Sequence, residues 1–161
     1  NFIGARWSKL LINAALSGVS TVLGCDFGTA VSTDRRRRVV HAVIKECIDV
    51  TRAGGVRIEP VQGKDIVRLF DYRGLVKRVV ARSLIPFATR KHRALKASML
   101  QDLEKGRPCE IDAINGAVCA EGRRFGVPTP VNDRIVELVK SFESGERQPG
   151  PENLALFDPL A

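Results

Sequence analysis

Aromatic side chains are scarce in this sequence, which has one tryptophan, one tyrosine and seven phenylalanines in 161 residues. Few rings are therefore available for nucleic-acid bases to stack on. The only histidines, His41 and His92, have no cysteine or carboxylate partner at ligand spacing, so each reads as a packing or surface residue and no metal is assigned. The four cysteines (Cys25, Cys47, Cys109 and Cys119) form no CxxC pair. A chain of this length buries roughly 70% of its unfolded surface and needs no disulfide, so a reduced, cytoplasmic protein is expected. No apolar run approaches the roughly 18 residues of a membrane span, and the opening residues lack the basic-then-apolar order of a signal peptide. A soluble chain with no membrane partner is expected. No GxGxxG occurs, which excludes the usual dinucleotide-binding turn from these residues. Strand signals are nearly absent, Val56 to Val61 being the one candidate, and the fold class is therefore all-α.

Acidic charge is outweighed: 26 Lys and Arg face 18 Asp and Glu, a net charge of +8. Arg35 to Arg38 are consecutive, and a second cluster comprises Arg90, Lys91, His92, Arg93 and Lys96. Neither carries a recognition motif, and the first opens a helix whose apolar positions come later. Both read as solvated faces, and no nucleic-acid partner is assigned.

What is present in quantity is helical periodicity. A first helix is predicted from Phe2 to about Leu23, with Lys9, Asn13 and Ser17 spaced by four so that they stack on one face. Gly24 to Thr33 reads as a loop. Val39, Val40, Val43, Ile44, Cys47, Val50 and Thr51 trace the stripe of a second long helix that stops at Gly54-Gly55. Two further helices are predicted over Lys64 to Tyr72 and Leu75 to about Ile85, with Ile66, Leu69, Phe70, Val76, Val79 and Val80 inward and Pro86 closing the latter. Leu95 to Lys105 is a short helix stopped by Gly106. Pro108 sets the start of the next, which runs through Ile111, Ile114, Ala117 and Val118 to Gly126. The last is predicted with Thr129 as N-cap, Pro130 in its first turn, Ile135, Leu138, Val139 and Phe142 buried, and Gly145 as its end. Residues 1–145 form the predicted helical domain. Residues 146–161 read as a tail whose Leu154, Leu156 and Phe157 could dock on the body. The sequence opens on Asn1 with helical periodicity already under way by Ile3, as expected for a piece of a longer chain.

One constellation carries chemistry: Lys9 and Asn13 near the start, then Ser98-Met-Leu-Gln-Asp102, Gly106-Arg107, Glu110-Ile-Asp112 and Ile114-Asn-Gly116. A lysine, amides, a hydroxyl and a carboxylate on predicted helices suit one small polar anion. The order Trp7-x-Lys9-x-x-x-Asn13, with Ser98 and Glu110 twelve apart, resembles the C-terminal domain of the ketopantoate reductase (2-dehydropantoate 2-reductase) family, from about Trp7 to about Phe142. The resemblance implies a multi-helix domain of the 6-phosphogluconate dehydrogenase C-terminal-domain-like fold. It also implies Lys9 as catalytic acid, Asn13 and Ser17 in the substrate pocket, and Ser98 and Glu110 on the carboxylate and hydroxyl sides of a 2-keto acid. Ser17 stands where the family has a second asparagine and offers shorter reach. For Glu110, the first helical turn after Pro108 is a second reason for a carboxylate. Asp102, Asp112, Asn115 and Gly116 are taken as structural, and Glu46 as a helix-to-helix hydrogen bond or salt bridge.

The implied activity is that of an NADPH-dependent reductase making pantoate from ketopantoate on the route to pantothenate and coenzyme A. Its coenzyme is bound mainly by an N-terminal Rossmann domain absent from this sequence, so the fragment alone is expected to be inactive. The alternatives are a reductase of another 2-keto acid and a non-catalytic helical module for dimerisation or interaction, and a homodimer is left open.

Overall fold

The computed structural model describes residues 1–61, 63–71 and 74–161. Among the described residues, α-helices are joined by short 3₁₀ turns and loops, with no strand and a single isolated bridge between Val61 and Lys64. The Val56 to Val61 strand candidate is thus an extended link without a partner strand.

Helix α1 (Phe2–Asn13) passes without a break into a π turn (Ala14–Gly18) and α2 (Val19–Leu23), which Gly24 ends in the left-handed conformation at φ 62°. The predicted long first helix is present, but its middle turn is wider than an α-turn. Within the predicted loop, Asp26 caps a one-turn helix, α3 (Phe27–Ala30), by accepting from Thr29 N–H at 2.7 Å. The core helix is α4 (Asp34–Ala53), capped by Thr33, with Val39, Val40, Val43, Cys47 and Val50 fully buried. Its arginine run is spent locally. Arg35 pairs with Asp158 and Arg38 with Asp34, while Arg36 and Arg37 donate to the Thr29 and Val31 carbonyls at the end of α3.

The next stretch departs most from expectation. The Lys64 to Tyr72 helix is only α5 (Ile66–Phe70), because Asp65 caps it and Asp71 ends it; Tyr72 lies outside the described residues. Helix α6 (Leu75–Ala88) carries Pro86 inside its last turn and runs on past it, so the proline does not close the helix. Near a C-terminus the missing N–H costs one bond while the ring's fixed φ remains helical. The predicted inward face is also reversed. Val76, Val79 and Val80 are 79%, 55% and 53% exposed, and the buried positions are Ala81 and Ile85 on the opposite side. His41 of α4, buried and bonded through Nε2 to the Phe70 carbonyl at 3.1 Å, ties this stretch to the body.

Helix α7 (Ser98–Glu104) starts three residues later than Leu95 and ends before Gly106 at φ 66°. Pro108 does not start a helix. A 3₁₀ turn (Ile111–Ala113) and the bend at Ile114 (φ −105°, ψ −92°) precede α8 (Asn115–Phe125). Helix α9 (Pro130–Glu143) packs on α8 and α4. The segment after Gly145 lies on the body as a 3₁₀ turn (Pro151–Phe157). Leu154 and Phe157 are buried, and Asn153 Nδ2 donates to the Val22 carbonyl at 3.1 Å.

The reversed face of α6 gives a direct check. Val79→Asp, on the outward stripe, should change unfolding free energy by no more than about 0.5 kcal/mol. Ile85→Ala, on the opposite face, should cost about 2 to 5 kcal/mol in the same urea titration.

Candidate functional site

The first turns of α1 are stapled to the extended link at residues 57–59. Asn1 accepts from Gly4 N–H and donates through Nδ2 to the Arg57 carbonyl at 3.1 Å. Ser8 Oγ sits 2.7 Å from the Glu59 carbonyl oxygen and 2.9 Å from that of Gly4. Gly4 permits the approach, since a Cβ there would lie 2.1 Å from the Arg57 carbonyl oxygen. Farther along α1 the two walls leave a groove of about 350 Å³. Ser8, Lys9, Ile12 and Asn13 line one side, at the three- and four-residue spacing of one helix face, and Glu59, Pro60 and Val61 line the other.

Of the five sequence-predicted site residues, Lys9 and Asn13 share this groove, Lys9 exposed and Asn13 half-buried. Ser17 is not on its wall. The π turn between Asn13 and Ser17 breaks the α-helical repeat that would have stacked all three, and Ser17 is 8% exposed, turned into the protein. Ser98 and Glu110 also lie off the groove wall and are exposed. Ser98 opens α7, which packs on the π turn. Glu110 precedes the short 3₁₀ turn and lies outside α8, so the helix-start explanation for its charge does not hold. Among the residues taken as structural, Asp112 pairs with Lys140 at 2.6 Å.

Behind the π turn runs a buried polar chain rooted in the helix-to-helix hydrogen bonds expected of Glu46. Glu46, in the middle of α4, accepts from Val131 N–H at 2.8 Å, Asn132 N–H at 3.0 Å and Asn132 Nδ2 at 2.6 Å. It therefore caps α9 from another helix. Thr129, the predicted N-cap, instead donates its hydroxyl to Asp133 at 3.0 Å. Asn132 Oδ1 accepts from Asn115 Nδ2 at 2.9 Å, and the same amide donates to the Ala14 carbonyl, the first of the π turn, at 3.1 Å. Asn115 and Asn132 are fully buried. Gly18 completes the fit, since a Cβ there would lie 2.7 Å from Asn115 Oδ1. Proximity to Pro130 was the only local hint of Asn132, and Glu59 left none, because its place depends on a contact with α1 fifty residues earlier.

The cysteines are not poised for nucleophilic chemistry. Burial pushes Cys109 up to about 11, Cys119 up to about 12 and Cys47 higher still. Among the described residues no group of His, Cys, Asp and Glu could hold a metal ion. No helix among them is long and apolar enough to cross a membrane.

The all-helical architecture of this chain is shared with the C-terminal part of a class of reductases. The family model described as "Ketopantoate reductase PanE/ApbA C terminal" matches residues 1–143, and the chain belongs to that family. It is 30% identical over 139 residues to the 2-dehydropantoate 2-reductase of Pyrobaculum aerophilum, covering 86% of this chain and 43% of that protein. It is 31% identical over 149 residues to that of Mycobacterium tuberculosis strain H37Rv, covering 90% and 42%. The chain thus spans about two fifths of these curated relatives. Among solved structures, a PanE/ApbA family ketopantoate reductase from Ralstonia eutropha JMP134 superposes with a TM-score of 0.68 at 26% identity, over 87% of this chain and 41% of that one. A D-mandelate dehydrogenase in ternary complex with NADH and anilino(oxo)acetate gives 0.65 at 26% identity, over 86% and 40%.

The Glu46 cap predicts a pH signature. Glu46→Gln replaces one acceptor oxygen with an NH₂ facing amide donors and should cost about 1 to 3 kcal/mol. Burial, partly offset by these hydrogen bonds, holds the Glu46 carboxyl above its ordinary 4.5. The native state therefore binds this proton more tightly than the unfolded chain. Glu46's contribution to stability is full below pH 4.5 and declines as pH rises through the native value. The stability advantage of wild type over Glu46→Gln should be larger at about pH 4 than at about pH 7 in urea titrations. An advantage that grew with pH would contradict this assignment.

Proposed function

We propose that this chain is the substrate-binding and catalytic-acid part of an NADPH-dependent 2-dehydropantoate 2-reductase, which reduces ketopantoate to pantoate. What carries the reading is the pairing of Lys9 and Asn13 on one groove wall in a chain of this family. The Lys9 ammonium stabilises the charge developing on the keto oxygen and donates the proton that neutralises it. Asn13, one turn on, holds the keto acid in register with Lys9. Ser98, Glu110 and Ser17 join the site only if the bound acid extends beyond the groove toward α7 and the π turn. Lys9 is open to solvent on this chain, so the desolvation that sharpens its role comes from a second domain closing over α1.

The residues present do not fit a dinucleotide. Among the described residues no strand leads through a glycine turn into a helix, and the positive-φ glycines at 24, 106, 126 and 145 follow helix ends instead of opening a helix under a phosphate. On this reading the coenzyme is held by a Rossmann domain outside this sequence.

A second reading has an observation in its favour. Ser17 leaves the third position of the family pattern without an amide at the groove, and the D-mandelate dehydrogenase likeness points to another 2-keto acid as substrate. A panel of 2-keto acids with the full-length protein and NADPH separates the two by their kcat/KM. In that protein Lys9→Ala should lower kcat by roughly two to four powers of ten with a smaller change in KM, and Ser98→Ala should act chiefly on KM. A kcat for Lys9→Ala within about threefold of wild type would move the acid role elsewhere.

A further inference from the structure

The buried amides behind α1 form a chain with a direction. Glu46 accepts at all three of its contacts, one of them from Asn132 Nδ2, so Asn132 has only its Oδ1 left to offer Asn115. Asn115 meets it with Nδ2, and the same Nδ2 donates to the Ala14 carbonyl at 3.1 Å. Both acceptors served by that amide are therefore fixed by what stands behind it. Its own Oδ1 is left buried against Gly18, with no hydrogen-bond partner among the described residues. An orphaned acceptor is unfavourable, and here it accompanies the delivery of a donor to the backbone of α1. Ala14 is where that helix widens. A π turn interrupts the ladder of i to i−4 bonds, and its carbonyls need donors from elsewhere. Asn115 supplies one from the start of α8, 101 residues away in sequence. Asn13, the residue just before this carbonyl's own, ends α1 and lines the groove with Lys9.

We propose that Asn115 is a positioning residue of the reductase: its bond to the Ala14 carbonyl fixes the turn that aims Asn13 beside Lys9, and it acts on the keto acid only through Asn13. This rests on the reductase reading above and deepens it. Asn115 is fully buried and touches nothing in the groove, so its leverage is geometric. Without its donor the widened turn loses the one bond that reaches it from α8, and tightening toward α-geometry turns the two ends of the helix against each other by up to about 100°, the step of one residue. Asn13 stands at that joint. Gly18 holds the amide from the other side, since a Cβ there would lie 2.7 Å from Asn115 Oδ1 and push Nδ2 off its acceptors. A group that orients a reacting carbonyl tolerates little displacement, because a shift of about 1 Å is enough to cost a large part of the rate.

The test uses the full-length protein with NADPH and whichever 2-keto acid of the panel it reduces best, at a temperature where urea titration shows each variant folded. Asn115→Ala removes the donor and should lower kcat by about tenfold or more. Gly18→Ala keeps the donor but displaces it; it should lower kcat by about threefold to tenfold, and it carries the test if Asn115→Ala does not fold. Neither loss should survive the removal of Asn13. In an Asn13→Ala background the same two substitutions should change kcat by less than about twofold, the non-additivity expected of residues acting as one unit. Ile85→Ala, a core lesion on α6 outside this chain of bonds, should leave kcat within about twofold of wild type despite its loss of stability. A wild-type kcat in Asn115→Ala and Gly18→Ala, a loss of equal size with and without Asn13, or an equal loss in Ile85→Ala would overturn the positioning role and leave the reductase reading standing. A wild-type protein that reduces no member of the panel would overturn both.

Discussion

The carboxylate of Glu46 is the fixed point of this domain. It sits in the middle of the core helix, is 9% exposed, and ends the unsatisfied N–H groups of α9 from outside that helix. A helix start buried against a neighbour must find acceptors, and an anion there also meets the positive end of the helix dipole. Burying a charge is costly unless its oxygens are fully used, and here three donors converge on them. The arrangement fixes α9 against α4 in both position and rotation. Through Asn132 and Asn115 it reaches the Ala14 carbonyl, so the same chain of bonds that joins the core helices also holds the widened turn just beyond Asn13.

That turn decides the shape of the site. An unbroken α-helix would have presented Lys9, Asn13 and Ser17 in one row. The π turn leaves Lys9 and Asn13 on the groove and draws Ser17 inward, next to the Gly18–Asn115 contact. The opposite wall is built separately, by a link whose backbone is drawn onto α1 through Ser8 and Gly4. The groove therefore depends on two contacts of long sequence separation, one behind α1 and one beside it.

The outward stripe of α6 follows from the same economy. Val76, Val79, Val80, Leu84 and Phe87 recur at helical spacing and face solvent, while the helix is held to the body by Ala81, Ile85 and an Arg82 to Asp34 pair at 3.7 Å. No acidic residue occurs between Asp71 and Asp102. Periodicity identifies an apolar face but carries no information on what covers it, and the small Ala81 beside Ile85 made the weaker-looking stripe the buried one.

By itself the sequence determined the all-α class, the long helices and most of their ends, because 3.6-residue periodicity, Thr33 and the glycines at 24, 54, 106, 126 and 145 act locally. It also determined the family, because the Lys9–Asn13 and Ser98–Glu110 spacings are properties of the chain alone. Only the tertiary structure decided that Glu46 and not Thr129 caps α9, that Ser17 turns away from Lys9, that the valines of α6 face outward, and that Glu59 stands in the groove. Each of these is a choice between partners far apart in sequence, settled by which buried donor finds an acceptor and which face finds a neighbour. Local propensity is silent on such choices, since the residues involved are compatible with either outcome until the helices meet.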